Sequence, residues 1–215
     1  MIRYILNPLV VSLVLSACTN SGNQSMVEQD ENDSTFMLPV EGPVVTKEFS
    51  TKSGMSWIVT QSQLGASLVN VKVETHGFSE QDQTIEFSEI DPIIQILLAD
   101  LDKNGFEEIY FVTQAAGSGS YATIYGLNSN NDKSVSEIYF EGATLYNTKS
   151  GDTYEGYMGH DNFELIEESL TNTYPVYREG DSDANPTGGK RKVFYKLVRG
   201  GASWQLKPAR GEAVK

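Results

Sequence analysis

The chain is predicted to fold as an all-β domain, an antiparallel β-sandwich or barrel-like structure with one short helix. Three observations predict it. From residue 36 onward apolar residues recur mainly at every second position, β-branched and aromatic side chains dominate those runs, and Gly- and Asn-rich turn signals separate them.

The chain opens Met1-Ile2-Arg3 and then runs apolar from Tyr4 to Leu15, interrupted by Asn7, Pro8 and Ser12. One positive charge before a short apolar stretch is the pattern of a secretory signal peptide. The stretch is shorter than the roughly 20 residues that a membrane-spanning helix needs. It ends Leu15-Ser16-Ala17-Cys18. An aliphatic residue, two small residues and a cysteine resemble the lipobox of bacterial lipoproteins. There the small residues admit the peptidase and the thiol carries diacylglycerol. Residues 1–17 are therefore expected to be a cleaved leader and Cys18 a lipidated first residue. The alternative is an ordinary secretory leader with a chance cysteine. Cys18 is the sole cysteine. Once acylated it leaves no thiol for a disulfide, so the fold must rest on its core. Several acyl chains anchor far more firmly than one. Thr19, not Asp, follows the cysteine. By resemblance to lipoproteins of two-membrane bacteria, this implies an outer-membrane anchor with the body in the periplasm.

Removal of the leader leaves 198 of 215 residues, enough for one domain with a proper core. The chain carries 16 basic and 29 acidic residues, a net charge of −13, which becomes −14 when Arg3 leaves with the leader. Such a surface argues against nucleic acid as a partner, because phosphate binding needs basic groups. It would attract a cationic protein. Residues 18–35 are small, polar and acidic after the cysteine and are expected to form a flexible tether. The β-rich domain is assigned to residues 36–215.

Within it, Val69, Val71 and Val73 alternate with Asn70, Lys72 and Glu74. Ile109, Phe111 and Thr113 alternate with Tyr110, Val112 and Gln114, and Val193, Tyr195 and Leu197 with Phe194, Lys196 and Val198. Further strands are expected at 44–50, 55–61, 84–88, 93–99, 121–127, 136–141 and 202–207. Turn signals fall at Asn104-Gly105, Gly117 to Ser120, Asn128 to Asp132 and Gly188-Gly189. The short helix is expected near 161–170: Asp161 and Glu164 have capping-box spacing, and Phe163, Ile166 and Leu170 recur at helical spacing.

Catalytic chemistry is not expected. The two histidines, His76 and His160, are far apart and lack metal-ligand spacing. No nucleophile elbow, Walker loop or dinucleotide fingerprint occurs. Ser118 and Ser120 sit among glycines without an identifiable base, and paired acids such as Glu107-Glu108 and Glu167-Glu168 cannot be placed across a cleft from sequence.

Asp100, Asp102, Asn104, Gly105 and Glu108 form D-x-D-x-N-G-x-x-E. This matches the first nine positions of a calcium loop, with the Phe106 carbonyl at position 7. It departs at position 12, where an EF-hand has Glu and this chain has Phe111. No cofactor is otherwise expected, and Ca²⁺ is a candidate for this turn alone. The competing reading is a plain Asn-Gly hairpin between strands 93–99 and 107–114.

The segment Gln114-Ala115-Ala116-Gly117-Ser118-Gly119-Ser120-Tyr121 joins strand 107–114 to strand 121–127. From composition it is a small, neutral, Gly-rich loop ending in an aromatic hydroxyl, which fits a loose hairpin connection and also allows a tight, projecting backbone. The run Ala99 to Gln114, followed by Ala115 to Tyr121, resembles the periplasmic inhibitors of invertebrate-type (i-type) lysozyme. Ser118-Gly119-Ser120-Tyr121 matches the S-G-x-Y inhibitory motif of that family, and Tyr177-Arg178-Glu179-Gly180-Asp181 through Asn185-Pro186-Thr187-Gly188-Gly189 to Tyr195 is similar to its downstream part. The likeness spans roughly residues 90–200. The tether and lipobox depart from it, since family members can be soluble in the periplasm.

The resemblance implies a proteinaceous lysozyme inhibitor whose loop Ser118, Gly119, Ser120 and Tyr121 enters the catalytic cleft. Lysozymes act through two carboxyl groups beside the scissile bond. The hydroxyls of Ser118 and Tyr121 are donors suited to such acceptors, and the tip carries no acid to oppose them. A second contact loop is expected around Arg178, Asp181, Thr187, Gly188, Gly189 and Arg191, in a 178–192 loop that ends in the basic Lys190-Arg191-Lys192. The expected partners are lysozyme and, through the lipid, a membrane; the resemblance also admits a homodimer. Two rival functions stand beside this one: a calcium-dependent envelope binding or assembly lipoprotein, and a cell-wall hydrolase using two of the acids. The anchor itself is testable. Cys18→Ala should abolish metabolic labelling with a radioactive fatty acid, and undiminished labelling would end the lipoprotein reading.

Overall fold

The computed structural model of the chain describes residues 35–36, 44–144 and 147–214. The expected leader, Cys18 and all of the tether except Thr35 lie outside the described residues. The described chain is all-β. Thirteen strands form two sheets. The first four long strands build a small antiparallel sheet in simple up-and-down order: β2 (Val44–Ser50), β3 (Ser56–Gln63), β4 (Val69–His76) and β5 (Thr84–Ile90).

The other nine strands form one large sheet. They are β1 (Thr35–Phe36), β6 (Ile93–Ala99), β7 (Glu108–Gln114), β8 (Ala122–Ser129), β9 (Val135–Phe140), β10 (Asn162–Ile166), β11 (Ser169–Pro175), β12 (Lys190–Arg199) and β13 (Trp204–Ala213). Their order is β1-β6-β7-β8-β9-β13-β12-β11-β10. All pairings are antiparallel except β9 with β13, where Trp204 lies opposite Ile138 in parallel register. Hence the last strand is inserted between the two halves of the sheet and joins them.

β7 shows how one sheet serves two cores. Six of its seven residues are buried, and the side chains still alternate. Tyr110 and Val112 enter one cluster, with Leu97, Ile124, Ile138, Phe163, Leu170, Val193, Tyr195 and Leu206. That cluster draws on every long strand of the large sheet, so the sheet curls around it into a barrel-like half. Ile109 and Phe111 point the other way and pack with Trp57, Val59, Val69, Val71, Val73 and Leu127. This second core is the sandwich layer between the large sheet and the small one. Ladder hydrogen bonds satisfy the backbone, while period-two placement of β-branched and aromatic residues fills both faces.

The expected helix at 161–170 is replaced by a hairpin. β10 and β11 pair antiparallel, Leu165 opposite Leu170 and Ile166 opposite Ser169. Glu167 and Glu168 form the two-residue turn with φ of 47° and 61°. Two successive left-handed residues are what a tight hairpin of matching twist requires. The Asp161 carboxylate does not cap a helix, because its oxygens are taken by Ala122, Tyr157 and Asn172. A second correction concerns the 178–192 loop. It ends at Gly189, and Lys190, Arg191 and Lys192 belong to β12.

Phe111 tests the shared strand. It is fully buried and meets Phe87 edge-on at 6.1 Å between ring centroids. Phe111→Ala should lower unfolding free energy by about 3–5 kcal/mol, whereas truncating the exposed Tyr139 should change it by less than about 0.5 kcal/mol. Urea denaturation followed by far-UV circular dichroism measures both; equal midpoints would refute the two-core role of β7.

Candidate functional site

The Gly-Ser loop caps the β7–β8 hairpin. Its neck is closed by the Ala115 amide donating to the Tyr121 carbonyl at 2.9 Å, and its tip by the Ser120 amide donating to the Gly117 carbonyl at 3.0 Å. Ser120 holds a left-handed φ of 43° to make that turn. Ala116, Gly117 and Ser118 are exposed, and Tyr121 is 48% exposed. The Tyr121 ring folds back over Gly119, where any Cβ would collide with it.

The loop is braced by the segment leading into β10. The His160 amide donates to the Gly119 carbonyl at 2.8 Å. Gly159, with φ of 87°, passes so close that a Cβ there would collide with the same carbonyl oxygen. Tyr157 meets Tyr121 edge-on at 5.9 Å. One oxygen of Asp161 accepts from the Ala122 amide at 2.9 Å and the Tyr157 hydroxyl at 2.8 Å, and the other from the Asn172 side-chain amide. Burial raises the Asp161 carboxyl above its usual range, and these donors oppose the rise. Burial, with the nearby Asp161 charge, likewise raises the Tyr157 phenol. Beneath the loop lies a groove of about 350 Å³ lined by Tyr121, Phe140, Tyr154, Tyr157, Asp161 and Tyr195.

The second expected contact loop adjoins the first. Tyr177 stacks on His160 with ring centroids 6.2 Å apart, and the His160 amide holds Gly119. Asp181 organises the loop internally. It accepts from the amides of Arg178 and Thr187, both at 2.8 Å, and from the Thr187 hydroxyl. Those donors, the Arg178 amide first, hold its carboxyl below the ordinary range. The Gly188 amide donates to the Val176 carbonyl at 2.8 Å, and the Gly189 carbonyl accepts from the Val176 amide at 2.9 Å. Arg178 is exposed. Arg191 is engaged elsewhere: its guanidinium donates to the carbonyls of Thr153, Asp152 and Gly211. The structure thus brings Ser118–Tyr121 beside Tyr177 and its loop and commits the Arg191 head group to the 152–153 backbone.

The acidic turn lies at the other end of β7. Asp100 accepts from the amides of Asn104 at 2.9 Å and Gly105 at 2.8 Å, and Asp102 from the Asn104 amide at 3.1 Å and its side chain at 3.0 Å. Asn104 accepts from the Phe106 amide at 2.8 Å. Glu108 is completely buried and accepts from the Leu101 amide at 2.9 Å, the Tyr110 hydroxyl at 3.2 Å and the Asn128 amide group at 3.2 Å. One oxygen from each of Asp100, Asp102 and Glu108 lies within 4.8 Å of the others. Phe111, the position-12 departure, is buried in the sandwich core.

Sequence reasoning missed Tyr157, Gly159 and Asp161 as the brace of the loop. Gly159 in a Gly-rich stretch was the available signal, but nothing local says that it faces Gly119. Gly159→Ala should speed hydrogen exchange at the amides of Ser120 and His160 while leaving the β2–β3 pairing unchanged. Unaltered exchange at those two amides would refute the brace. Comparison with family models, with curated proteins and with solved structures finds no match.

Proposed function

We propose that this protein is a lysozyme inhibitor, with the i-type enzyme as its target, which inserts the Ser118–Tyr121 loop into the catalytic cleft. The observation that carries the reading is the build of the loop: exposed at Ser118 and Tyr121, yet fastened at neck, tip and flank. A pre-shaped loop gives up little conformational freedom on binding, so more of its contact energy appears as affinity. A flexible Gly-Ser loop of the same composition would lose that advantage.

The electrostatics support the same reading. Residues 115–121 carry no charge. Asp161, at the base of the loop, has its oxygens occupied by internal donors. The hydroxyls of Ser118 and Tyr121 are therefore offered to a pair of foreign carboxyl groups with no exposed acid among them. Hydrogen bonds to charged acceptors contribute about 1.5–3 kcal/mol each. Tyr121 adds an aromatic surface, the kind of anchor that dominates tight interfaces. The acidic remainder of the molecule would speed encounter with a basic enzyme, an effect that salt weakens. The exposed Arg178 and its Asp181-organised loop would form the flank of the contact.

In this reading the protein is a lipoprotein of the outer membrane, facing the periplasm, and the lipid at Cys18 keeps the inhibitor beside the peptidoglycan it protects. The test is a cell-wall lysis assay with invertebrate-type, c-type and g-type lysozymes, each with and without the purified protein. Inhibition is expected with the first. Tyr121→Ala should weaken it at least roughly thirtyfold, the equivalent of about 2 kcal/mol, and Ser118→Ala should weaken it to a lesser degree. Lysis that proceeds equally with and without the protein, or variants as potent as the parent, would defeat the proposal.

A further inference from the structure

We infer that the Asp100–Glu108 turn is a binding site for one calcium ion, with side-chain oxygens of Asp100, Asp102, Asn104 and Glu108 and the Phe106 carbonyl as its ligands. The site does not rest on the lysozyme reading and lies at the opposite end of β7 from the inhibitory loop.

Two independent observations carry it. The first is the carboxylate trio, one oxygen from each acid, all within 4.8 Å of one another. That ceiling is about twice a Ca²⁺–oxygen bond of roughly 2.4 Å, so the three can share one ion. No Lys or Arg pairs with these three among the described residues: Lys52 pairs with Glu107 and Lys103 with Glu168. The second lies outside the turn. Asn128, on β8, is completely buried, and its amide ends on the Glu108 carboxyl with Nδ2 3.2 Å from Oε1. Its Oδ1 has no donor among the described residues. An unsatisfied buried amide oxygen costs about 1–3 kcal/mol unless something answers it, and the water shell of a cation held beside Glu108 would offer the missing donor.

The chemistry of the donors selects the ion. All are oxygens, which excludes soft metals, and among the described residues no His or Cys stands near enough to join them. Carbonyl and side-chain amide donors on an irregular loop suit the flexible, high coordination of Ca²⁺ better than the strict octahedron of Mg²⁺. Internal hydrogen bonds to Asp100 and Asp102 do not compete, because each carboxylate oxygen has a second lone pair.

The purified protein, freed of metal with a chelator, is titrated with CaCl₂ and separately with MgCl₂ in a calorimeter, and its thermal midpoint is measured in each ion. One calcium per chain, weaker magnesium binding and a midpoint rise of about 5 °C or more in saturating calcium are expected. Asp102→Asn keeps the shape and removes the charge, and should weaken calcium at least roughly tenfold; Glu179→Gln, remote from the turn, should bind like the parent. If Asp102→Asn does not fold, Asp100→Asn is measured in its place. No heat and no midpoint shift at 10 mM calcium (on the order of the weakest extracellular sites), or undiminished binding in the variant, would overturn the assignment.

Discussion

β7 is the strand on which the remainder depends. It is buried on both faces, and its alternating side chains supply the barrel-like core through Tyr110 and Val112 and the sandwich core through Ile109 and Phe111. Such a strand cannot slip by one residue without exchanging the two sets between cores of different shape. Its register is consequently held from both sides. Both candidate sites hang from its ends. The acidic turn enters it at Glu108 and the Gly-Ser loop leaves it at Gln114. A rigid seven-residue strand keeps the two sites roughly 20 Å apart, so a change at one has no direct contact through which to disturb the other.

The loop's rigidity has a distinct source. It comes from Asp161, a half-buried carboxylate shared among β8, β11 and the segment before β10. A buried charge is costly unless donors surround it. Here those donors arrive from three separate stretches of chain, so satisfying the carboxylate also fixes their relative positions. Tyr157 links this hub to the exposed Tyr121 ring, and His160 ties the same turn to Gly119. Polar burial of this kind gives up stability for a defined geometry.

Charge is distributed in keeping with that division. The chain is strongly acidic, yet residues 115–121 are neutral. The acids converge at Asp100, Asp102 and Glu108, where the first two are half-buried and the third is completely buried. The same molecule thus presents one uncharged projecting tip and one acidic turn, at opposite ends of β7.

Much of this was readable from residues alone. Strands 44–50 and 93–99 have the expected limits, and most others differ by one or two residues at their ends. Period-two burial and turn chemistry act between neighbours in the chain, so they leave a local signature. The turn at Asn104-Gly105 and the loop at Gly117–Ser120 are legible for the same reason. The β10–β11 hairpin was not, because Phe163, Ile166 and Leu170 fit a helix as well as two strands, and Glu167-Glu168 carries no Gly or Asn to announce a tight turn. Nor was the use of Asp161, whose amide donor at Ala122 lies 39 residues away along the chain. Pairings of that reach, like the parallel seam of β9 with β13, depend on how far the large sheet curls. The curl is the outcome of packing two cores at once, and no short stretch of sequence contains it.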